Sequence, residues 1–425
     1  MMTLDRRSFL KLLGAGAAGL PMIGRAGELL PKGGRRVVVI GGGFGGTIAA
    51  KTVRRLDPSI EVVLIERKRQ HVSCPFSNQV IAGERPISDI TFGYDKLAAR
   101  YGIRMVFDEV TAIDPSAREV VTRGGTLGYD RLIVSPGIDF RFDEIEDYDP
   151  ETTPGILPHA WKAGEQTLLL KQQIESMADG GKVIISMPLT PYRCPPGPYE
   201  RACLIAMYLK KHKPGSKVIL LDANPDIVSL GAQFQKAWDT LYKGMIEYLP
   251  AKRVTRVDAK SKTLFVEGIE DFRGDVVNLI PPQRAGAIAV SAGLVGPDRH
   301  WCPVNASTFE STLHKDIHVI GDAAVAGAMP KSSHSANSQA KACAMNVVAL
   351  MNGRETSDFS GINVCYSAIA EDQDISVAAV YKAAEGNIVA VPNAGGASPL
   401  DFSSTRLEHR YAESWLKNIL TEMST

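Results

Sequence analysis

At 425 residues, with 44% hydrophobic and 22% charged side chains, the chain has a soluble globular composition and is too long for one ordinary core. A formal net charge of +1 gives no electrostatic case for nucleic acid, and six cysteines in so long a chain exclude a disulfide-stapled miniprotein. No Cys-x-x-Cys, Cys-x-x-Cys-His or His-Glu-x-x-His occurs, so no zinc knuckle, no haem attachment in this chain and no metal are expected.

In chain order, Asp5-Arg6-Arg7-Ser8-Phe9-Leu10-Lys11 leads into a Gly/Ala/Leu-rich stretch from Leu12 to Ile23, with small residues at Gly24 and Ala26. A charged start, a short weakly apolar run and small residues suited to cleavage resemble a twin-arginine export signal over 1–26. Twelve apolar residues cannot span a bilayer, which needs about 20. A periplasmic protein without an integral membrane segment in its mature form is therefore expected. That export route carries folded proteins, often with a cofactor loaded.

The run Arg35 to Ile40 reads as a buried strand that breaks into Gly41-Gly42-Gly43-Phe44-Gly45-Gly46. A helix from Thr47 to Leu56 follows, then a strand Glu61 to Ile65 ending at Glu66. Gly41 allows the tight turn, Gly43 lets backbone approach a pyrophosphate, and Gly46 lets helix and strand pack closely. Glu66 stands where a carboxylate accepts hydrogen bonds from an adenosine ribose. Glu119 to Asp130 reads as a hairpin region. A second βαβ pattern runs from Lys182–Ser186 through a helix at Tyr199–Lys211 to a strand Lys217–Leu221, ending at Asp222. Its first turn, Met187 to Glu200, has no glycine fingerprint and holds five prolines, which cannot offer N–H groups to a pyrophosphate. Ile317–Ile320 enters Gly321-Asp322, with a helix predicted over Ala336–Met351. The tail holds a Pro/Gly/Ser-rich stretch, Val391 to Pro399, and a helix Leu407–Met423 carrying Tyr411, Trp415, Leu416, Ile419 and Leu420 at helical spacing.

Two further segments favour FAD over a nicotinamide. Gly128 to Gly137, with Ser135 and Gly137 at its end, resembles the strand and turn that flavoprotein disulfide reductases place after their first module. Val319 to Ala323 resembles the strand whose acid, here Asp322 after Gly321, binds the ribityl chain in that superfamily.

The resemblance then narrows. Ser73-Cys74-Pro75-Phe76-Ser77-Asn78, Cys194 to Arg201, Asn363-Val364-Cys365-Tyr366-Ser367, Leu279 to Gly286, and Pro330-Lys331-Ser332 through Gln339 are similar to the flavoprotein subunit of flavocytochrome c sulfide dehydrogenase. That resemblance implies FAD bonded covalently through Cys74, and a redox disulfide between Cys194 and Cys365 above the flavin. It further implies sulfide as substrate and a separate c-type cytochrome subunit as partner. Hydrosulfide would attack one sulfur, leaving a persulfide and a thiolate. Cys194 lies shortly before a helix N-terminus, a position expected to lower its pKa. Glu200 is an acid or base by resemblance, or equally a first-turn acid stabilising the helix dipole. Lys331 reads either as positive charge beside the flavin or as a solvated loop lysine. Cys203, Cys302 and Cys343 read as small buried hydrophobes.

The expected fold is α/β: two Rossmann-like modules plus a C-terminal α+β region. Its divisions are 33–150 and 280–353 for the FAD-binding domain, 151–279 for the second module and 354–425 for an interface domain. The rivals are a sulfide:quinone oxidoreductase using Tyr411, Trp415 and Ile419 against a membrane, an NAD(P)H-linked disulfide reductase, and a non-catalytic flavin electron-transfer protein.

Overall fold

The computed structural model describes residues 27–267 and 271–425; the expected export segment, 1–26, lies outside the described residues. Strand β1 (Arg36–Ile40) is wholly buried, as its run of three valines and an isoleucine requires in a parallel sheet covered on both faces. It turns into α1 (Phe44–Leu56) and returns as β2 (Glu61–Ile65). With β3 (Arg104–Val106) and β4 (Arg131–Val134) these pair in parallel.

The second module begins at β5 (Lys182–Met187), followed by α2 (Gly197–His212), β6 (Lys217–Asp222), β7 (Ile246–Leu249) and β8 (Val276–Leu279). Its four strands form a second parallel sheet in the order β7-β6-β5-β8. The chain then returns to the first module. Strand β9 (Ile317–Val319) joins the first sheet beside β4, completing the order β9-β4-β1-β2-β3. Helix α3 (Ser333–Met351) packs on α1. It starts three residues earlier than predicted because Ser332 caps it, accepting the Ser335 N–H at 3.0 Å.

The remainder is an antiparallel sheet of β10 (Ser360–Ala370), β11 (Gln373–Ala384) and β12 (Asn387–Ala397), covered by α4 (Thr405–Ser424). The Pro/Gly/Ser-rich stretch is mostly an edge strand. It pairs only with β11, and the register shifts between Ala379 and Tyr381, which lets Pro392 sit where no ladder bond is needed. The α/β architecture of two Rossmann-like modules and an α+β tail is as expected. Among the described residues no helix is long and apolar enough to cross a membrane. The proposed membrane face of α4 turns inward: Leu416 and Ile419 are buried, while Tyr411 alone of that group stands 52% exposed.

Candidate active site

Two cavities meet at the carboxyl ends of the first sheet's strands. One is a cleft of about 1100 Å³ lined by Gly41, Gly43, Glu66, Cys74, Ser135, Gly137, Gly321 and Asp322. Its floor depends on close backbone approach. Gly41 has φ +100°, and a Cβ there would stand 2.2 Å from the Ser135 carbonyl oxygen. A Cβ on Gly46 would stand 1.8 Å from the Gly41 carbonyl oxygen, so Gly46 does not line the cleft but lets α1 press against the turn. The N-terminus of α1 has no side-chain cap and no acid in its first turn, leaving its partial positive charge for a ligand. Glu66, ending β2, accepts the Gly42 N–H at 2.7 Å. The Gly321 N–H donates to Gln339 Oε1 at 2.8 Å, which holds the Gly321–Asp322 turn against α3.

The second cavity, about 840 Å³, brings together Cys74, Cys194, Cys365 and Glu200. Cys74, Arg193 and Ser333 line both cavities and so form their junction. Cys74 reaches it from the loop before the short helix Ser77–Ile81, with its Sγ 3.8 Å from the Trp161 carbonyl oxygen. Cys365 arrives on β10, its Sγ accepting from Asn363 Nδ2 at 3.4 Å. Cys194 sits three residues before α2 at φ +59°, a left-handed conformation rare for a residue with a side chain. Two bonds hold it there: its N–H donates to the Lys331 carbonyl at 2.8 Å, and its own carbonyl accepts the Gly197 N–H at 2.9 Å. All six cysteines are free thiols in this structure, and Cys203, Cys302 and Cys343 are fully buried away from both cavities.

The electrostatics depart from expectation. Burial pushes the Cys194 thiol well above its ordinary pKa, with Cys365 and Glu200 adding to the rise. Arg193 opposes it, yet the helix-terminus lowering expected from sequence does not win, because desolvation is the larger effect. Cys365 is raised by burial too. Glu200, on the first turn of α2, is pushed up to about 8 by burial and then by Asp374, against hydrogen bonds from Asn78 and the Ala368 amide. A carboxyl with its pKa near neutrality can both give and take a proton there.

Lys331 is neither beside the cleft nor solvated. Its ammonium donates to the carbonyls of Asp322 at 2.8 Å and Ala324 at 3.0 Å and stands 3.7 Å from the Trp301 ring centroid. Burial lowers its pKa to about 8. Through its carbonyl to Cys194 and its ammonium to the Asp322 turn, Lys331 ties the two cavities together from behind. The cation at the junction is Arg193, 3.9 Å from Asp322 and unmarked by any sequence motif.

Residues 167–281 match the central domain of the sulfide dehydrogenase [flavocytochrome c] flavoprotein chain, and 358–423 match the flavocytochrome c sulphide dehydrogenase flavin-binding domain. Residues 35–173 match the pyridine nucleotide-disulphide oxidoreductase domain. The sulfide dehydrogenase [flavocytochrome c] flavoprotein chain of Chlorobaculum thiosulfatiphilum is 63% identical over 46 residues, covering 11% of this chain and 96% of that sequence. This chain belongs to the flavocytochrome c sulfide dehydrogenase flavoprotein family. A sulfide-quinone reductase of Aquifex aeolicus (strain VF5) is 32% identical over 91 residues, 21% of each chain. The crystal structure of the sulfide:quinone oxidoreductase from that bacterium shares the fold, with TM-score 0.74 and 19% identity over 92% of both chains.

The chain is accordingly a sulfide-oxidising FAD flavoprotein, and the cleft suits the cofactor. The open N-terminus of α1 fits the pyrophosphate, Glu66 the ribose, and the Asp322 carboxyl the ribityl chain.

The second module has a cleft at the ends of its strands, lined by Met187 to Pro191, but lacks the glycine turn and the free acid that a dinucleotide needs. Asp222, in its ribose-acid position, is buried and accepts from Tyr199 Oη at 2.7 Å, Tyr248 Oη at 3.0 Å and Asn224. Asn224 in turn takes the Thr190 N–H at 3.0 Å, locking the proline-rich turn. NADH and NADPH mixed anaerobically with the flavin-loaded protein should leave the oxidised flavin spectrum unchanged over minutes; rapid bleaching would contradict this reading of Asp222.

Proposed function

We propose that this protein oxidises sulfide to sulfur or polysulfide through a Cys194–Cys365 disulfide and FAD, and passes the electrons singly to a separate c-type cytochrome subunit. The observation that carries the reading is the convergence of Cys74, Cys194 and Cys365, from three distant stretches, on one cavity that opens onto the flavin cleft. Hydrosulfide attacks one sulfur of the disulfide; a new S–S bond forms, the old one breaks, and a persulfide and a thiolate result. A thiolate in this enclosure is strongly disfavoured, and Glu200 stands in the same cavity to give it a proton. FAD, when bound, supplies a two-electron acceptor that can be reoxidised in single-electron steps. Cys74, at the junction of the cavities, bonds the flavin covalently. The Arg6-Arg7 segment directs export, so the reaction takes place in the periplasm.

Cys194→Ala or Cys365→Ala should reduce sulfide-dependent cytochrome c reduction to a few per cent of wild type or less. Flavin content and reduction by dithionite should be retained. A bridge that is only structural would instead cost stability, typically ~2–5 kcal/mol, so melting temperature measured beside activity separates the cases. Cys74→Ser should move the flavin from the acid-precipitated pellet to the supernatant with the fold intact; release of all flavin by the wild type would refute the linkage.

Glu200 also gives the reaction a pH signature. Its acid form is present below about pH 8, so a step that needs the donor holds below that pH and falls about tenfold per unit above it. Glu200→Gln should lower the plateau and flatten that limb in a pH–rate profile.

A further inference from the structure

Beyond Glu200 the cavity has a second buried carboxyl that the reaction as drawn does not use. Asp374 lines the same cavity on β11. It pairs with Ala368 across the β10–β11 ladder, where the register shifts, and the Ala368 amide donates to Glu200. The two carboxyls therefore meet at one irregularity in the sheet. Behind Asp374 stands His409 of α4, its Nδ1 3.0 Å from Asp374 Oδ1. The Asp374 side chain is 2% exposed and that of His409 is 24% exposed, so the three groups run from cavity to surface in order of increasing access beyond Asp374.

We propose that Glu200, Asp374 and His409 form the proton exit of the sulfide site. The inference rests on the sulfide reading above. Each hydrosulfide oxidised to the level of sulfur gives up two electrons and one proton (HS⁻ → S⁰ + H⁺ + 2e⁻). The electrons leave through the disulfide and FAD to a one-electron acceptor that takes no proton, so the proton needs its own way out of an enclosed cavity. Glu200 protonates the thiolate and takes the persulfide's proton in exchange. It passes that proton on, and recovers the thiol's proton when the disulfide re-forms, sulfur leaves and two electrons pass on to the flavin. Asp374 accepts the persulfide's proton from Glu200 across the cavity and hands it to His409 Nδ1 as the ring releases its other proton to solvent.

The charges around the path favour this direction. His409 is raised by its bond to Asp374, with further Asp374, Glu413 and Asp372 charge adding, which favours its taking a proton from Asp374. Asp374 is itself raised by burial, with Glu413 and Glu408 adding, and is therefore protonated more readily than an ordinary aspartate. Arg201, the next residue on α2, favours the ionised form of Glu200. Arg85 and Arg406 are held by Glu413 and Asp372, outside the path.

Asp374 and His409 act through Glu200, so the test must separate proton transfer from mere support. Steady-state oxidation of sulfide by ferricyanide, with the full flavin-loaded chain, measures turnover without a partner subunit. Asp374→Asn and His409→Gln should each lower kcat about tenfold or more, a smaller loss than the ~10²–10⁴-fold typical of a group that meets the reacting atoms directly. KM for sulfide should stay within about twofold, and dithionite should still bleach the flavin. Imidazole added to the buffer should restore His409→Gln, whose gap opens on solvent, and Asp374→Glu should retain most activity. Wild-type kcat, pH profile and buffer independence in His409→Gln would overturn the relay, while a slow Glu200→Gln variant in the same series would leave the sulfide reading standing. The His409 side chain is 24% exposed, so that variant tests the relay even should Asp374→Asn melt early. A wild-type protein whose flavin sulfide does not reduce would overturn both proposals.

Discussion

An ionised thiol or carboxylate loses most of its hydration when protein encloses it, and Cys194, Cys365 and Glu200 share one enclosure. Burial is the largest influence on each of them and moves all three toward their protonated forms. The compensations nearby are few and specific: Arg193 for Cys194, Asn363 for Cys365, and Asn78, the Ala368 amide and Arg201 for Glu200. In such a cavity sulfur exchange cannot be separated from proton transfer, and the acidic residues around it acquire a purpose that their sequence positions do not announce.

The scaffold holds this cavity against the flavin cleft with a small number of buried polar contacts. Cys194 is kept in a left-handed conformation, which costs about 1–3 kcal/mol. The Lys331 and Gly197 bonds over-determine it. The Lys331 ammonium, satisfied by two carbonyls and stacked over Trp301, belongs to this framework. Its charge therefore supports the Asp322 turn through the Asp322 and Ala324 carbonyls.

The two Rossmann-like modules show how one architecture is turned to different ends. In the first, the carboxyl ends of the strands meet an open glycine turn and an uncapped helix. In the second, the equivalent turn is stiffened by prolines, Asp222 is consumed by two tyrosines and Asn224, and the start of the helix carries Cys194 and Glu200 toward the first module's cleft. The C-terminal sheet closes the remaining side, with Cys365 on β10, Asp374 on β11, and Trp415 and His409 on α4.

Local chemistry made much of this legible in the chain itself. Buried β-branched runs ending in glycine and acid are the local signature of a βαβ unit, so β1, α1, β2 and the close backbone packing at Gly41 and Gly46 could be read directly. The five prolines after β5 excluded a second phosphate turn by the same local logic, and the family resemblance singled out Cys74, Cys194, Cys365 and Glu200. Tertiary structure alone decided the rest, because pKa values and side-chain partners are sums over segments far apart in sequence. The direction of the Cys194 shift depends on burial beneath β10 and beside Arg193. The place of Lys331 depends on carbonyls seven and nine residues away, and the bond from Asp374 to His409 spans 35 residues of sheet and helix. Strand β12 tolerates Pro392 only because it is an edge, and an edge exists only once the sheet has formed.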